Sequence, residues 1–185
     1  MNLIVRQLAL VAALVAAAVS FLPQPVAAAG GEVLQRDAKA ALNDLYAKNP
    51  AARGLQKQAV AILVFPSIVK AGFVVGGQFG DGVLYRGGKA VAYYNTTGAS
   101  YGLQAGAQTY GYAMFFMNEA SLKALDRSEG FEVGVGPSVV VVDEALAKQM
   151  TSKTMTDNIY AFIFDQHGAM AALGIQGNKI TRISK

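Results

Sequence analysis

The chain of 185 residues contains no cysteine and no tryptophan, and its one histidine is His167. Without cysteine it has no disulfide, no thiolate metal ligand, no cysteine nucleophile and no lipidated cysteine anchor. One histidine excludes a metal site that needs two imidazole ligands. The sequence therefore predicts no metal and no cofactor, and it favours a binding protein over an enzyme.

Charge is also scarce. Only 15% of the residues are charged, whereas 53% are hydrophobic, which excludes an intrinsically disordered chain. The net charge of +4 is too small to make nucleic acid the expected partner. The composition leaves the oligomeric state open.

The first 29 residues read as an export signal. Arg6 gives a positive start, residues 8–22 form an apolar run, and Ala27-Ala28-Ala29 offers a cleavage site. The apolar run is shorter than the ~20 residues that span a bilayer, although an uncleaved membrane anchor stays open as the alternative. We therefore expect a signal peptide over 1–29 and a single domain over 30–185. The protein is expected to be exported to a bacterial periplasm and to associate peripherally with the membrane.

Two helices are predicted at the start of the domain. Over residues 32–48 the apolar positions recur at helical spacing, at Leu34, Ala38, Ala41, Leu42 and Leu45. Asn49 followed by Pro50 ends this helix and begins another over 50–58, with Asn49 as its N-cap.

From residue 60 the pattern is rich in β-forming residues. Short strands are predicted over 61–65, 73–79, 83–86 and 89–94, with Pro66 ending the first. Gly80-Asp81-Gly82 and Gly87-Gly88 both read as hairpin turns. Residues 100–117 contain three glycines at spacings of four and five, which favours bent strands.

The remaining residues alternate short helices and strands. Helices are predicted over 118–127 and 143–150, capped by Asn118 and Asp143. Strands are predicted in 131–142 (two, hinged at Gly136-Pro137), 159–164, 170–176 and 179–183, with a turn over 165–168. Such short connections favour antiparallel pairing. The expected class is α+β: a mainly antiparallel, curved sheet, barrel- or sandwich-like, with N-terminal amphipathic helices and two short helices between strands.

One motif suggests an enzyme. Residues 98–102 match G-x-S-x-G around Ser100, and the order Ser100, Asp143 or Asp157, then His167 fits an α/β-hydrolase. That motif requires a strand-to-helix elbow, whereas the residues after Ser100 read as strand. A serine hydrolase is therefore only a remote alternative, and no catalytic residue is predicted.

Several motifs resemble those of the SYLF lipid-binding domain family. They are Phe65-Pro66 with 70–77 (Lys-Ala-Gly-Phe-Val-Val-Gly-Gly), 101–108 (Tyr-Gly-Leu-Gln-Ala-Gly-Ala-Gln), 132–137 (Glu-Val-Gly-Val-Gly-Pro), 160–164 (Tyr-Ala-Phe-Ile-Phe) and 174–180 (Gly-Ile-Gln-Gly-Asn-Lys-Ile). The resemblance extends from about residue 34 to residue 183, and the motifs occur in the family's order.

The resemblance implies a function without catalysis. Eukaryotic members bind phosphoinositides and, in some cases, actin, and a basic amphipathic N-terminal helical region is held responsible for membrane binding. Here that region is 32–58, with the bases Arg36, Lys39, Lys48, Arg53 and Lys57. An exported chain meets neither cytosolic phosphoinositides nor actin. The resemblance therefore implies anionic phospholipid as the partner, and actin is not expected.

Lys70 is a further candidate lipid contact. It stands between an apolar strand and a glycine-rich one, where a lone cation could meet a phosphate; the alternative is a solvated loop lysine. For the helix over 32–48 the alternative is an ordinary helix packed on the sheet with solvated charges outside. At the level of function, the alternative to lipid binding is a structural or protein-interaction module of the envelope.

Overall fold

The computed structural model describes residues 26–126, 130–132, 139–143, 157–168 and 178–185. Three helices lie in this part: α1 (Val26–Lys48), α2 (Pro50–Gln56) and α3 (Glu119–Leu125). The strands are β1 (Ala61–Arg86), β2 (Lys89–Phe116), β3 (Phe131–Glu132), β4 (Val139–Val141), β5 (Ile159–Gly168) and β6 (Asn178–Ile183).

The two N-terminal helices end and begin where their capping residues predict. Asn49 separates them, and its side-chain oxygen accepts hydrogen bonds from the backbone N–H groups of Ala51 and Ala52, at 3.0 and 3.1 Å. Pro50 occupies the first helical position of α2, where its missing N–H costs nothing. α1 begins six residues before the predicted start, at Val26, and so includes residues 26–29 of the predicted signal segment.

Residues 61–116 form one long hairpin instead of a series of short strands. Its only turn is Gly87-Gly88, where φ is 56° and 76°, left-handed values that favour glycine. The turn predicted at Gly80-Asp81-Gly82 is wrong, because β1 continues through it. The predicted end at Pro66 is also wrong, since the chain passes it with a bulge between Phe65 and Ile68.

The glycines of the rejected turn serve close packing instead. A Cβ atom on Gly82 would lie 2.6 Å from Cδ1 of Phe65, and one on Gly80 would lie 2.8 Å from Cγ1 of Ile68. The later half of β1 therefore lies directly against its own beginning. A strand can return this closely only where side chains are absent.

The sheet is strongly curled into a half-barrel and mostly antiparallel. Its described strands run in the order β3-β6-β2-β5-β4, with β1 paired to β2. Four of the pairings are antiparallel, and β4 pairs with β5 in parallel. The predicted class, α+β with a mainly antiparallel, curved sheet, is confirmed.

Each face of the sheet carries its own hydrophobic cluster. Neighbouring residues of β1 alternate between them: Leu63 and Phe65 face the inner cluster, and Ile62 and Val64 the outer one. The inner cluster lies within the curl and includes Leu125 of α3. The outer cluster is where α1 and α2 pack. This two-sided burial explains why β1 reads as a continuous apolar run.

The C-terminal elements agree with the sequence in part. The oxygen of the Asn118 side chain accepts a hydrogen bond from the Ser121 N–H at 2.8 Å, which confirms the predicted cap of α3. The turn predicted over 165–168 is wrong: β5 continues through it with an irregularity at Asp165, whose φ is 47°. The predicted helix 143–150, the Gly136-Pro137 hinge and the strand 170–176 lie wholly or almost wholly outside the described residues.

Candidate functional site

The apolar stripe of α1 faces the sheet. Ala38, Leu42 and Leu45 are buried in the outer cluster. While α1 is docked, this stripe does not reach a bilayer. The alternative of a helix packed on the sheet with its charges outside describes the geometry of α1 correctly.

Two tyrosines of the sheet hold the first part of α1. The Tyr85 hydroxyl donates to the backbone carbonyl of Gln35 at 2.8 Å, and the Gln35 side chain donates to the Tyr93 hydroxyl. Burial raises the pKa of Tyr85, and Tyr93 adds to the rise. Because the bonds join α1 to both strands of the hairpin, they fix the helix beside the hairpin turn.

All five bases predicted on the helices are exposed, but they are not equally available. Arg36 forms an ion pair with the adjacent Asp37 at 3.1 Å. Lys48 forms one with Asp165 at 2.8 Å, and this hydrogen bond raises the pKa of the lysine. Surface pairs of this kind are weak, so an anionic surface could compete for both bases.

Arg53 joins the two helices. Its Nε and Nη2 atoms donate to the Tyr46 carbonyl at 3.1 and 2.8 Å. That carbonyl lies in the last turn of α1, where carbonyls lack helical partners. Arg53 thus stabilises the junction of α1 with α2, while Lys57 follows α2 on the surface.

The exposed charges of α1 cancel. Its acids are Glu32, Asp37 and Asp44, and its bases are Arg36, Lys39 and Lys48. A uniform basic face is therefore absent from this helix. Any net positive site requires bases from elsewhere in the fold.

The hairpin supplies such a base. An open groove of about 600 Å³ separates α1 from the hairpin turn, and its charged lining residues are Glu32, Arg36, Lys39 and Lys89. We call it the cationic groove. A smaller cavity of about 310 Å³ shares Lys39, Tyr85 and Gly88 with it and continues between the two helices and β1.

The cationic groove carries three bases against one acid. Lys39 and Lys89 take part in none of the ion pairs formed within the described residues. Sequence reasoning missed Lys89, because only the docking of α1 beside the turn brings this lysine near Arg36 and Lys39.

Lys70 lies apart from the other predicted bases. It is 2% exposed, within β1, and pairs with Gln108 across the hairpin. Its predicted position between two strands is wrong, because it lies within β1 with its side chain buried. The structure surrounds this end of the inner face with buried polar residues that the sequence did not point to: Gln78, Thr96, Gln108 and Asn178.

The hydrolase motif lacks its elbow. Residues 98–102 lie inside β2, where Ser100 pairs with Gly76 of β1. His167 lies in β5, paired with Thr109, and not in a turn. Among the residues described, no three His, Asp or Glu side chains are grouped as a metal site would need.

The lengths and hydropathies of the helices show whether any of them could span a membrane. Within the described ranges, none is both long enough and apolar enough to cross a bilayer. The segment predicted as a signal peptide lies mostly before Val26, so its removal stays a prediction.

A known family matches the C-terminal part of the chain. No curated protein matches the chain. Residues 97–185 match the family described as "Ysc84: Las17-binding protein actin regulator". The matched segment begins within β2 and contains in full four of the five motifs on which the SYLF resemblance rests, while α1, α2 and β1 precede it. The match over residues 97–185 confirms the resemblance of the chain to the SYLF-domain family.

Proposed function

We propose that this protein is an exported envelope protein that binds anionic phospholipid at a membrane surface, without catalysis. The observation that carries the proposal is the cationic groove, in which Arg36 and Lys39 of α1 meet Lys89 of the hairpin. The binding is electrostatic, because the apolar stripe of α1 is already used in packing.

The magnitude is sufficient for reversible membrane association. A base near an anionic leaflet contributes about 1 kcal/mol, so three contribute about 3 kcal/mol. Two half-exposed apolar side chains, Val33 and Val91, follow groove-lining residues in sequence and offer shallow contact with the interface. The bases set the location of binding, and the valines add little.

Vesicle co-sedimentation tests the site. The groove variant is Arg36→Gln, Lys39→Gln, Lys89→Gln, and removing ~3 kcal/mol should weaken binding to anionic vesicles about a hundredfold. The control variant, Lys123→Gln, Lys179→Gln, Arg182→Gln, loses the same charge from exposed positions on α3 and β6. Raised salt should weaken wild-type binding, since it screens exposed charges.

A third variant tests the bases predicted from the sequence that lie outside the groove. It combines Lys48→Gln, Arg53→Gln and Lys57→Gln, and we expect it to bind more tightly than the groove variant. Circular dichroism must show that all three variants are folded. If the groove and control variants lose affinity equally, binding follows net charge and the groove is not the site.

Protein binding is the second candidate function, because the matched family is described by its binding to a protein. The surface feature that favours this function is the aromatic side chain of Phe79 on β1, which is 57% exposed. This candidate replaces lipid binding if the wild-type chain sediments with no vesicle at any salt concentration. Actin itself remains unexpected for an exported chain.

Export has its own test. Cleavage after Ala29 would leave Gly30 as the first residue, within the helix that the structure shows as α1. We expect the mass of the chain recovered from the cell envelope to correspond to 30–185. A mass that includes residues 1–29 would indicate a retained anchor instead.

A further inference from the structure

The inner face of the curled sheet changes from apolar to polar along its strands. Phe65 and Ile68 occupy the apolar part of β1, and the next inward residue, Lys70, begins the polar part. We call this group, with its buried amides, the inner polar cluster: Lys70, Gln78, Gln108, Tyr110, Tyr112 and Asn178. Each of these side chains is at least nine-tenths buried.

The cluster is assembled from three strands. Gln78 of β1 and Asn178 of β6 pair with Gly98 from its two sides. A Cβ atom on Gly98 would lie 2.4 Å from Oδ1 of Asn178 and 3.0 Å from Cγ of Gln78. The two amide side chains therefore lean together over a position that has no side chain.

Tyr110 connects these amides to the rest of the cluster. Its hydroxyl donates to Oε1 of Gln78 at 3.1 Å. Gln108 lies two residues before Tyr110 in β2, on the same face, and pairs with Lys70. Tyr112 lies two residues after it, and its ring stacks on Phe65.

Four polar atoms of the cluster have no hydrogen-bond partner in the protein. They are Nε2 of Gln78, Oε1 of Gln108, Oδ1 of Asn178 and the hydroxyl of Tyr112. Buried polar atoms are nearly always paired, because leaving one unpaired is costly. Four such atoms on one face of one sheet suggest a ligand rather than four separate defects.

We propose that the inner polar cluster binds a small polyhydroxylated molecule, a polyol or monosaccharide. The unpaired set contains an amide donor, two carbonyl acceptors and a phenol, so it needs groups that both donate and accept. A hydroxyl does both. A bare anion only accepts, and would leave the carbonyls of Gln108 and Asn178 unpaired.

The proposal does not depend on the cationic groove. The cationic groove lies on the outer side, between α1 and the hairpin turn, whereas the cluster faces the inside of the curl. The ligand hydroxyls could belong to a free polyol or to the headgroup of a lipid. The experiment separates these sources.

Calorimetric titration and thermal unfolding of the full chain test the proposal. The probes are glycerol, myo-inositol and D-glucose, with sulfate as the bare anion, because it carries no proton at neutral pH. We expect saturable heat and a rise in Tm with at least one polyol and neither with sulfate. Polyols also stabilise proteins by exclusion from the surface, an effect that does not saturate and does not depend on the cluster.

Gln108→Met is the variant that separates a site from a structural role. It keeps the length of the side chain but removes the amide. We expect polyol binding to weaken about tenfold, while the Tm without ligand stays the same or rises, because an unpaired polar group is lost. Gln56→Met, exposed on α2, is the matched control and should change neither quantity.

Vesicles distinguish the source of the hydroxyls. Phosphatidylglycerol and phosphatidylserine carry the same net charge, but only the first has free headgroup hydroxyls. Loss of phosphatidylglycerol binding in Gln108→Met, with phosphatidylserine binding unchanged, would identify a lipid headgroup; unchanged binding of both, with polyol binding weakened, would identify a free polyol. The proposal is wrong if no polyol binds wild type saturably, if sulfate alone binds, or if folded Gln108→Met binds polyols like wild type.

Discussion

Gly82 offers the sharpest test of the curl, because its hydrogen atoms face the beginning of its own strand. In Gly82→Ala the added methyl carbon would lie 2.6 Å from Cδ1 of Phe65 and 2.8 Å from the carbonyl oxygen of Val64. Ordinary carbon contacts are about 3.5–4.0 Å. Either the two halves of β1 separate by about 1 Å, or Phe65 changes its position.

Neither movement is easy. Phe65 is fully buried, and its ring stacks on Tyr112 with centroids 6.4 Å apart. The Val64 carbonyl belongs to the backbone and cannot rotate aside. Adding a methyl group to a packed core costs about 1–3 kcal/mol. Replacing glycine also makes the unfolded chain less flexible, which stabilises the fold by about 0.4–1 kcal/mol, so the net loss of stability should be about 1.3 kcal/mol.

Gly77→Ala is the matched control in the same strand. Gly77 is exposed, its φ does not demand glycine, and the nearest atom to its added Cβ is the Gly98 carbonyl oxygen at 3.8 Å. That is an ordinary contact, so only the gain of about 0.4–1 kcal/mol remains. Two identical substitutions five residues apart should thus shift stability in opposite directions.

Urea unfolding followed by circular dichroism measures both free energies. For a chain of this length a loss of about 1.3 kcal/mol also lowers Tm by roughly 3–5 °C. Equal midpoints for Gly82→Ala and wild type, with unchanged slopes, would show that β1 does not return onto itself at this distance. Equal destabilisation by both variants would show a general need for glycine in this stretch, and the close packing would not be its cause.

Three further predictions concern the cap of α3, the buried tyrosines and Ser100. Asn118→Ala removes the hydrogen bond to the Ser121 N–H and should cost about 1 kcal/mol in urea unfolding; no loss would show that the cap is dispensable. Burial raises the pKa of Tyr110 to about 12, and those of Tyr46, Tyr94 and Tyr112 also rise. Because unfolded tyrosine ionises near 10, these residues contribute full stability below pH 10, which should decline as the pH rises from 10 through 12; tyrosinate absorbance and urea midpoints across this range check it. Ser100 lies within β2, so a fluorophosphonate should not label it, and labelling that disappears in Ser100→Ala would restore the hydrolase alternative.

Capping and turn residues could be identified from the sequence because their effect is local. Asn49 and Asn118 bond to backbone groups two or three residues away, so each motif contains all the atoms that matter. Gly87-Gly88 supplies two consecutive left-handed residues to a two-residue turn. Nothing outside these segments is needed to specify them.

The other glycines could not be interpreted in the same way. A turn and a close approach both favour a residue without Cβ, so Gly80 and Gly82 look alike under either interpretation. The deciding atoms belong to Phe65 and Ile68, more than ten residues earlier. Asp165 shows the same ambiguity, because its left-handed φ is turn-like although it lies in a continuous strand.

The candidate sites were harder to predict than the fold. The apolar stripe of α1 was located correctly, but its periodicity does not tell whether a sheet or a bilayer covers it. Lys70 and Lys89 show why. Lys70 is buried inside the curl, and Lys89 lies beside α1. Both positions depend on the pairing and curvature of β1 and β2.

Alternation along β1 makes the two proposals separable. Because successive residues face opposite sides, the strand that supports the helices of the cationic groove also supplies Lys70 and Gln78 to the inner polar cluster. No charged residue of the groove belongs to the cluster. Substitutions at sites without shared partners usually act additively. A chain carrying both the groove substitutions and Gln108→Met should therefore lose vesicle binding and polyol binding to the same extents as the separate variants, unless the polyol is itself the headgroup. In that case a single lipid molecule would have to contact both the groove and the cluster, which lie on opposite sides of the sheet. The effects of the groove substitutions and of Gln108→Met would then not add.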